Sequence, residues 1–323
     1  MKKLTLFMLI LYLFIPISVF AYSDYIIASG KNIGIELRSN NVIIVGSYNI
    51  DNHNILNESD LRLGDKILKI NNYDITDAYS MQQAIDNITD DKVTVVYKRN
   101  NDNYTTSITL YKENNERKTG LYVRDTIRGV ATLTYIDTYN NTFGALGHEI
   151  LEKSTKSIFD ADTGKIFNST VTGITKSIDG NPGEKNARSN TLDVYGTVKE
   201  NTTSGIFGNY EQPLPNSKLY RVAKPNEIKL GKAQILTVIE SDNVESFNIN
   251  ILRINQNSKT KNILFEVTDQ KLLDKTGGII QGMSGSPIIQ DDNIVGAVNF
   301  VVVDRTNKGY GIFITNMLEE AKN

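Results

Sequence analysis

The 323-residue chain has no cysteine and only two histidines, His53 and His148. The first absence removes a cysteine nucleophile and leaves no disulfide to hold the fold together. With so few soft ligands there is no zinc site of the Cys/His kind, and neither a metal nor any other cofactor is expected. Charge of one sign is not in excess: 35 Lys+Arg against 37 Asp+Glu give a formal net charge of −2 and a pI near 5.9. Without a broad basic footprint, nucleic acid is not an expected partner. Long apolar runs are confined to the N-terminus, where Met1-Lys2-Lys3 precedes Leu4 to Phe20 and the small Ala21. Residues 1–21 read as an export signal, either cleaved after Ala21 or retained as a membrane anchor. Helical periodicity is also scarce, limited to a segment starting at Ser80 and to Thr315–Lys322.

Short strand signals fill most of the remainder, which predicts a mainly β protein. From 25 to 110 they combine with one short helix in the layout of a small α+β PDZ domain. Asn32-Ile33-Gly34-Ile35 is expected to be its peptide-binding start, with Ile33, Gly34 and Ile35 offering backbone NH groups to a peptide ligand that adds as a strand. Leu61-Arg62-Leu63-Gly64-Asp65 reads as a turn into the next strand. Ser80 and Gln83 suggest a capping box, and Met81, Ile85 and Ile88 give the helix one apolar face. A packing module without a ligand is the plainer alternative, and His53 then sits in a polar loop. Residues 111–118 are polar and charged and form the linker. Residues 119–323 carry strand after strand, as an all-β barrel or sandwich domain does.

Chemistry concentrates in Gly282-Met283-Ser284-Gly285-Ser286-Pro287, a small-residue turn between apolar runs. Glycines on both sides let another molecule approach Ser284 and let the backbone turn sharply. That suits a serine nucleophile, and it equally suits an ordinary tight hairpin. A nucleophilic serine needs a base, most often imidazole. His148, in Gly144-Ala145-Leu146-Gly147-His148, is again set among small residues, and a structural histidine is the alternative. Asn181-Pro182-Gly183-Glu184 and Asp291-Asp292-Asn293 read simply as turns.

These segments together, with Gly205-Ile206-Phe207-Gly208, Ala233 to Ile239 and Lys308-Gly309-Tyr310-Gly311, resemble the SpoIVB peptidase family in order and spacing over nearly the whole chain. The resemblance implies a trypsin-like barrel fold for 119–323 and a serine endopeptidase with Ser284 as nucleophile, His148 as base and Asp269, fifteen positions before the serine, as the third member. Asp193, closer to His148 in sequence, is the rival for that place. By analogy with trypsin-like sites, the NH groups of Gly282 and Ser284 would form the oxyanion hole. Asn299-Phe300 departs from the family's Thr-His and is expected to border the peptide-binding edge. Kinship further implies a sporulation enzyme exported across the forespore inner membrane into the intermembrane space. It would cut itself and a protein that regulates an intramembrane protease, and so trigger sigma-factor maturation in the mother cell. A catalytically silent PDZ scaffold and a quality-control protease are the other classes; the PDZ segment preceding the protease weighs against the latter.

Overall fold

The computed structural model describes residues 22–321, so the N-terminal signal or anchor lies outside the described residues. Among the described residues no helix is long and apolar enough to cross a membrane. The chain is mainly β. The first part contains β1 (Tyr25–Ala28), β2 (Asn32–Ser47), α1 (Ile55–Glu58), β3 (Lys66–Ile70), β4 (Tyr73–Asp74), α2 (Ala78–Asn87), β5 (Lys92–Arg99), β6 (Asp102–Thr109), β7 (Tyr111–Glu113) and β8 (Glu116–Lys118). Then come β9 (Leu121–Asp137), β10 (Thr142–Ala145), β11 (Thr163–Thr175), β12 (Glu184–Thr202), β13 (Gly205–Tyr210) and β14 (Leu219–Val222). The last part holds β15 (Gly231–Val238), β16 (Val244–Ile254), β17 (Ile263–Val267), α3 (Gln270–Thr276), β18 (Pro287–Gln290), β19 (Asn293–Val301), β20 (Lys308–Phe313) and α4 (Ile314–Glu320).

The pairings close two rings. In the first, β2 pairs with β9, β9 with β10, β10 with β13, β13 with β12, β12 with β11, and β11 back to β2. In the second, β15 pairs with β16, then β17, β20, β19, β18 and back to β15. Closure leaves no ladder edge over most of each ring, which is how an all-β chain with alternating apolar residues buries one face and hides its strand edges. Ile33, Ile35, Leu133, Phe143 and Ile166 fill the first barrel; Ile235, Phe247, Ile263, Phe265 and Ile288 fill the second. β1 and β14 bridge them, β1 pairing with β9 and β14 while β14 runs parallel to β19. Tyr135, Phe207, Ala297 and Met317 pack at the junction.

The small module has its own core of Ile44, Ile67, Ile70, Met81, Ile85, Val93, Val95 and Ile108. Its helix begins at Ala78, two residues before the expected start at Ser80. Asp77 is the cap, accepting from Ser80 N, while the Ser80 hydroxyl answers the Asp77 backbone NH. The box is real, but Ser80 holds its third position. The module boundary also differs from the expected 25–110. β1 and the first half of β2 are barrel strands, and the start of β9 completes the module, with Leu121 in its core. Two long strands, β2 and β9, are thus shared by both units.

Candidate active site

Ile33, Gly34 and Ile35 are not a peptide-binding edge. In β2 they pair with Ala131, Val130 and Gly129 on one side and with Asn168, Phe167 and Ile166 on the other. A strand with both edges occupied has no NH groups left for a ligand. The open groove of the module lies elsewhere. Leu121–Val123 of β9 pair only with β2 and face α2 across a cavity of about 460 Å³ lined by Ala78, Met81, Gln82 and Ile85. Gly120, at φ 72, turns the chain into that edge where an added Cβ would stand 3.0 Å from the Tyr48 carbonyl. His53 is exposed, stacks on Tyr111 with centroids 4.4 Å apart and meets Glu58 at 3.0 Å; it is a surface residue of the module.

His148 and Ser284 stand on two neighbouring turns at the seam of the barrels. The turn after β10 passes through Leu146 and Gly147, both at positive φ (73° and 77°), and delivers His148 half-buried. A leucine in that region is strained, and such strain persists only where surrounding contacts impose it. Here Leu146 N donates to Thr132 O, and a Cβ on Gly285 would lie 2.6 Å from Leu146 N. The histidine turn and the serine turn therefore interlock backbone to backbone, which accounts for the glycines in both. Asn299 and Phe300 of β19 lie between the two side chains. Ser284 Oγ donates to Asn299 O at 3.0 Å, and the Phe300 ring stacks on His148 at 5.1 Å and 21°.

His148 Nδ1 lies 2.8 Å from Glu149 O. A carbonyl only accepts, so Nδ1 carries the hydrogen and Nε2 of the neutral ring keeps a lone pair. Burial lowers the imidazole below the ordinary histidine range, only partly offset by the Glu149 carbonyl and charge. The ring is thus held neutral, as a proton acceptor must be.

The third expectation needs correction. Asp269 is the N-cap of α3, accepting from Leu272 N, and its other oxygen accepts from Asn248 N, both at 3.2 Å. It makes no bond to His148. Asp193 accepts from Asn168 Nδ2 within the β11–β12 ladder and does not reach the ring either. The register places the start of β13 beside the histidine turn, Ala145 opposite Ile206, and the residues there, Thr202 and Ser204, carry hydroxyls and no carboxylate.

The backbone around Ser284 is aimed by what lies behind it. Gln281 O accepts from Lys185 N at 2.9 Å, and Met283 O accepts from Ser286 N at 2.9 Å. In a trans peptide the NH points opposite to the carbonyl of the preceding residue. With both carbonyls anchored inward, the NH groups of Gly282 and Ser284 face the other way, and neither makes a hydrogen bond among the described residues. Two convergent, unpaired donors beside a serine hydroxyl are suited to an oxygen that gains negative charge. Next to them, Phe300 and Val301 pair with β20 on one side only and Asn299 sits in a bulge of that ladder, since the β18 ladder ends at the Pro287–Ala297 pair. A cavity of about 320 Å³ opens on the histidine side, lined by Ile35, Val130, Leu146, His148, Ile150 and Phe300.

Sequence reasoning missed two residues, Thr132 and Lys185. Thr132 N donates to Ser284 O, and its hydroxyl donates to Gly282 O at 2.8 Å. Lys185, part of a segment that reads as a plain turn, is buried with Nζ on the hydroxyls of Thr132 (3.3 Å) and Thr237 (3.0 Å). Nothing in the run Glu184-Lys185-Asn186 marks a buried lysine. Among the described residues there is no cluster of His, Asp and Glu that could hold a metal.

A family model described as SpoIVB peptidase S55 matches residues 115–318, and a PDZ domain model matches residues 32–110. No curated protein matches the chain. Among solved structures, the active form of the Rv3671c protease from M. tuberculosis is similar at 15% identity, covering 61% of this chain and 74% of that one with a TM-score of 0.35. The HtrA-type protease AlgW with a decapeptide is similar at 10% identity over 65% and 54% of the two chains, with a TM-score of 0.34. Human heparin binding protein is similar at 11% identity over 56% and 73%, with a TM-score of 0.29.

Proposed function

Because this chain belongs to the SpoIVB peptidase S55 family and is a serine peptidase, we propose that it is a signalling endopeptidase of sporulation working through Ser284 and His148. His148 Nε2 takes the Ser284 proton as Oγ attacks a peptide carbonyl and returns it to the leaving amine. The hydroxyl must first turn from Asn299 O toward the ring, a rotation about one side-chain bond. The NH groups of Gly282 and Ser284 receive the oxyanion. The substrate strand lies along the open edge at Asn299–Val301 and places an apolar side chain in the cavity beside His148. The Glu149 carbonyl fixes the imidazole tautomer, and Asp269 serves the site through α3, whose end runs directly into the serine turn. The observation that carries this reading is the pair of inward-anchored carbonyls that turns two free NH groups toward the space before Ser284.

Family membership supports the finer assignments. The enzyme is exported across the forespore inner membrane by its N-terminal segment, cuts itself and then a regulator of an intramembrane protease, and its PDZ module engages a peptide in the groove between α2 and β9. The test is to express the chain without residues 1–21 and follow its size by gel and mass spectrometry beside Ser284→Ala. Cleavage of the parent and an intact variant are expected. A variant cut as fast as the parent refutes the assignment of Ser284, and two intact proteins favour a PDZ-bearing scaffold.

A further inference from the structure

Lys185 is the least explained charge in the molecule. It is 5% exposed, and among the described residues it has no carboxylate partner, its amino group touching only two threonine hydroxyls. Around it stand β9 with Thr132, β15 with Thr237 and the serine turn; no charged group from any of them acts on it, and burial alone pushes its ammonium down to about 7. A lysine so placed is costly, and an apolar side chain of the same length would be less so. Its retention calls for a use.

Its surroundings supply one. The backbone NH of Lys185 holds Gln281 O. Its stem forms the floor under Gly282, where an added Cβ would lie 3.1 Å from Lys185 Cβ and Cδ. Nζ donates to Thr132 Oγ1, whose own hydrogen goes to Gly282 O. Lys185 therefore touches both peptide groups on either side of the Gly282 Cα, the one that carries the Gly282 NH directly and the following one through Thr132. The same turn is locked from behind by Ser177, whose hydroxyl accepts from Gly183 N and donates to Ile279 O, each at 2.8 Å.

We propose that Lys185 is a positioning residue for the oxyanion-binding turn, acting through Thr132 to fix the Gly282–Met283 peptide, the plane that links the two peptides carrying the Gly282 and Ser284 NH groups. The inference rests on the proposed role of Ser284. It adds that the turn is kept competent by an amino group on the neighbouring hairpin rather than by its own side chains. With Nζ donating to Thr132 Oγ1, and the Ser286 hydroxyl a weaker second donor at 3.5 Å, the threonine hydrogen is directed onward to Gly282 O. Without Nζ, the hydroxyl is free to rotate, and the peptide plane it pins is free to follow.

Lys185→Met keeps the stem and the backbone NH and removes only the amino group; Thr132→Val removes the relay. The probe is a fluorophosphonate, whose phosphoryl oxygen enters the oxyanion site as Ser284 attacks. Both variants are expected to lose about tenfold or more in the maximal labelling rate with little change in the concentration for half-saturation, since misplacing one oxyanion donor costs on the order of 10²-fold. Because the two act through one relay, the double variant should lose no more than the worse single. Hydrogen–deuterium exchange of residues 279–287 should rise in each variant while the melting temperature of Lys185→Met holds or increases. Wild-type labelling by Lys185→Met with unchanged exchange overturns the inference, and so does equal exchange in Thr132→Val if the lysine variant fails to fold. If the parent itself resists the probe while exchange still rises in the variants, the chemistry assigned to Ser284 fails and the positioning role stands.

Discussion

Replacing Lys185 by Met also has a thermodynamic signature that can be worked from the structure. In the unfolded chain the amine titrates near the ordinary 10.5, whereas in the folded protein burial brings it to about 7. Between those values the unfolded state binds more protons than the native state, so stability rises with pH across the window and is lost as pH falls toward 7. The gap corresponds, at about 1.4 kcal/mol per pH unit, to roughly 5 kcal/mol as an upper bound. Methionine has no such term. The difference in unfolding free energy between wild type and Lys185→Met should therefore shift in favour of wild type by about 1 kcal/mol per pH unit from about pH 7.5 to 9.5, a slope close to that of one proton. Near neutral pH the variant should be the more stable protein, by an amount limited by how well the thioether packs against Thr132 and Thr237. Urea unfolding of both proteins in a pH series gives the comparison directly, because other titrating groups cancel in the difference. A flat difference curve would mean that the folded protein keeps Lys185 protonated at little cost, through water reaching Nζ, and the account of a desolvated amine would be wrong.

Other expectations follow from the site. Asp269→Ala should cost about 1 kcal/mol through loss of the α3 cap and lower peptidase activity by loosening the turn that α3 feeds, whereas Asp269→Asn, which still accepts from NH groups, should restore most of both. If the asparagine variant is folded and as inactive as alanine, with the ~10⁴-fold loss typical of a triad carboxylate, the charge acts on His148 after all. Since burial lowers the His148 imidazole, the acid limb of the labelling rate should lie below pH 6.5, the ring losing its function as base only when protonated; a limb well above that value contradicts the environment seen here. In the groove of the small module, Val123→Asp should weaken binding of free peptides ending in an apolar residue by about tenfold or more, as a charge set in an apolar subsite does. Titration of a fluorescent peptide checks it, and unchanged affinity places the ligand elsewhere.

What could be read from the chain divides along a physical line. The turns that carry Ser284 and His148 stand out in the chain because open space shows in sequence as glycine: Gly282 and Gly285 on one side, Gly144 and Gly147 on the other. Barrel strands were legible from their alternation, as in Val130 to Ile136. The start of the PDZ-like segment is not marked in sequence because β2 is one uninterrupted run of sixteen residues, and nothing local says that its first half pairs with β11 while its second half pairs with β3. Ile33-Gly34-Ile35 has the composition of a ligand-binding edge, and only long-range pairing fills both of its sides. Asp269 illustrates the opposite failure. Spacing from Ser284 points to it, yet an Asp followed by Gln270-Lys271-Leu272-Leu273 is equally a helix cap, and the cap is what the backbone uses. Lys185 was invisible, since a buried amine is defined by neighbours that come from β9 and β15.

The strand β9 ties these pieces into one device. Its first residues, Leu121–Val123, form one wall of the groove, and eleven positions further on Thr132 holds both Gly282 O and Ser284 O. Its partner β2 is not continuous in the same way: between Arg38 and Ile43 the register shifts, so that four residues of β2 stand against the single Asp125 of β9. The bulge lies on the β2 side, whereas β9 runs as one strand from module to barrel. Asp125 lies at that crossing, and its carboxylate accepts from Ala78 N at the start of α2. A peptide in the groove proposed between α2 and β9 would therefore bear on the same strand whose Thr132 contacts the serine turn.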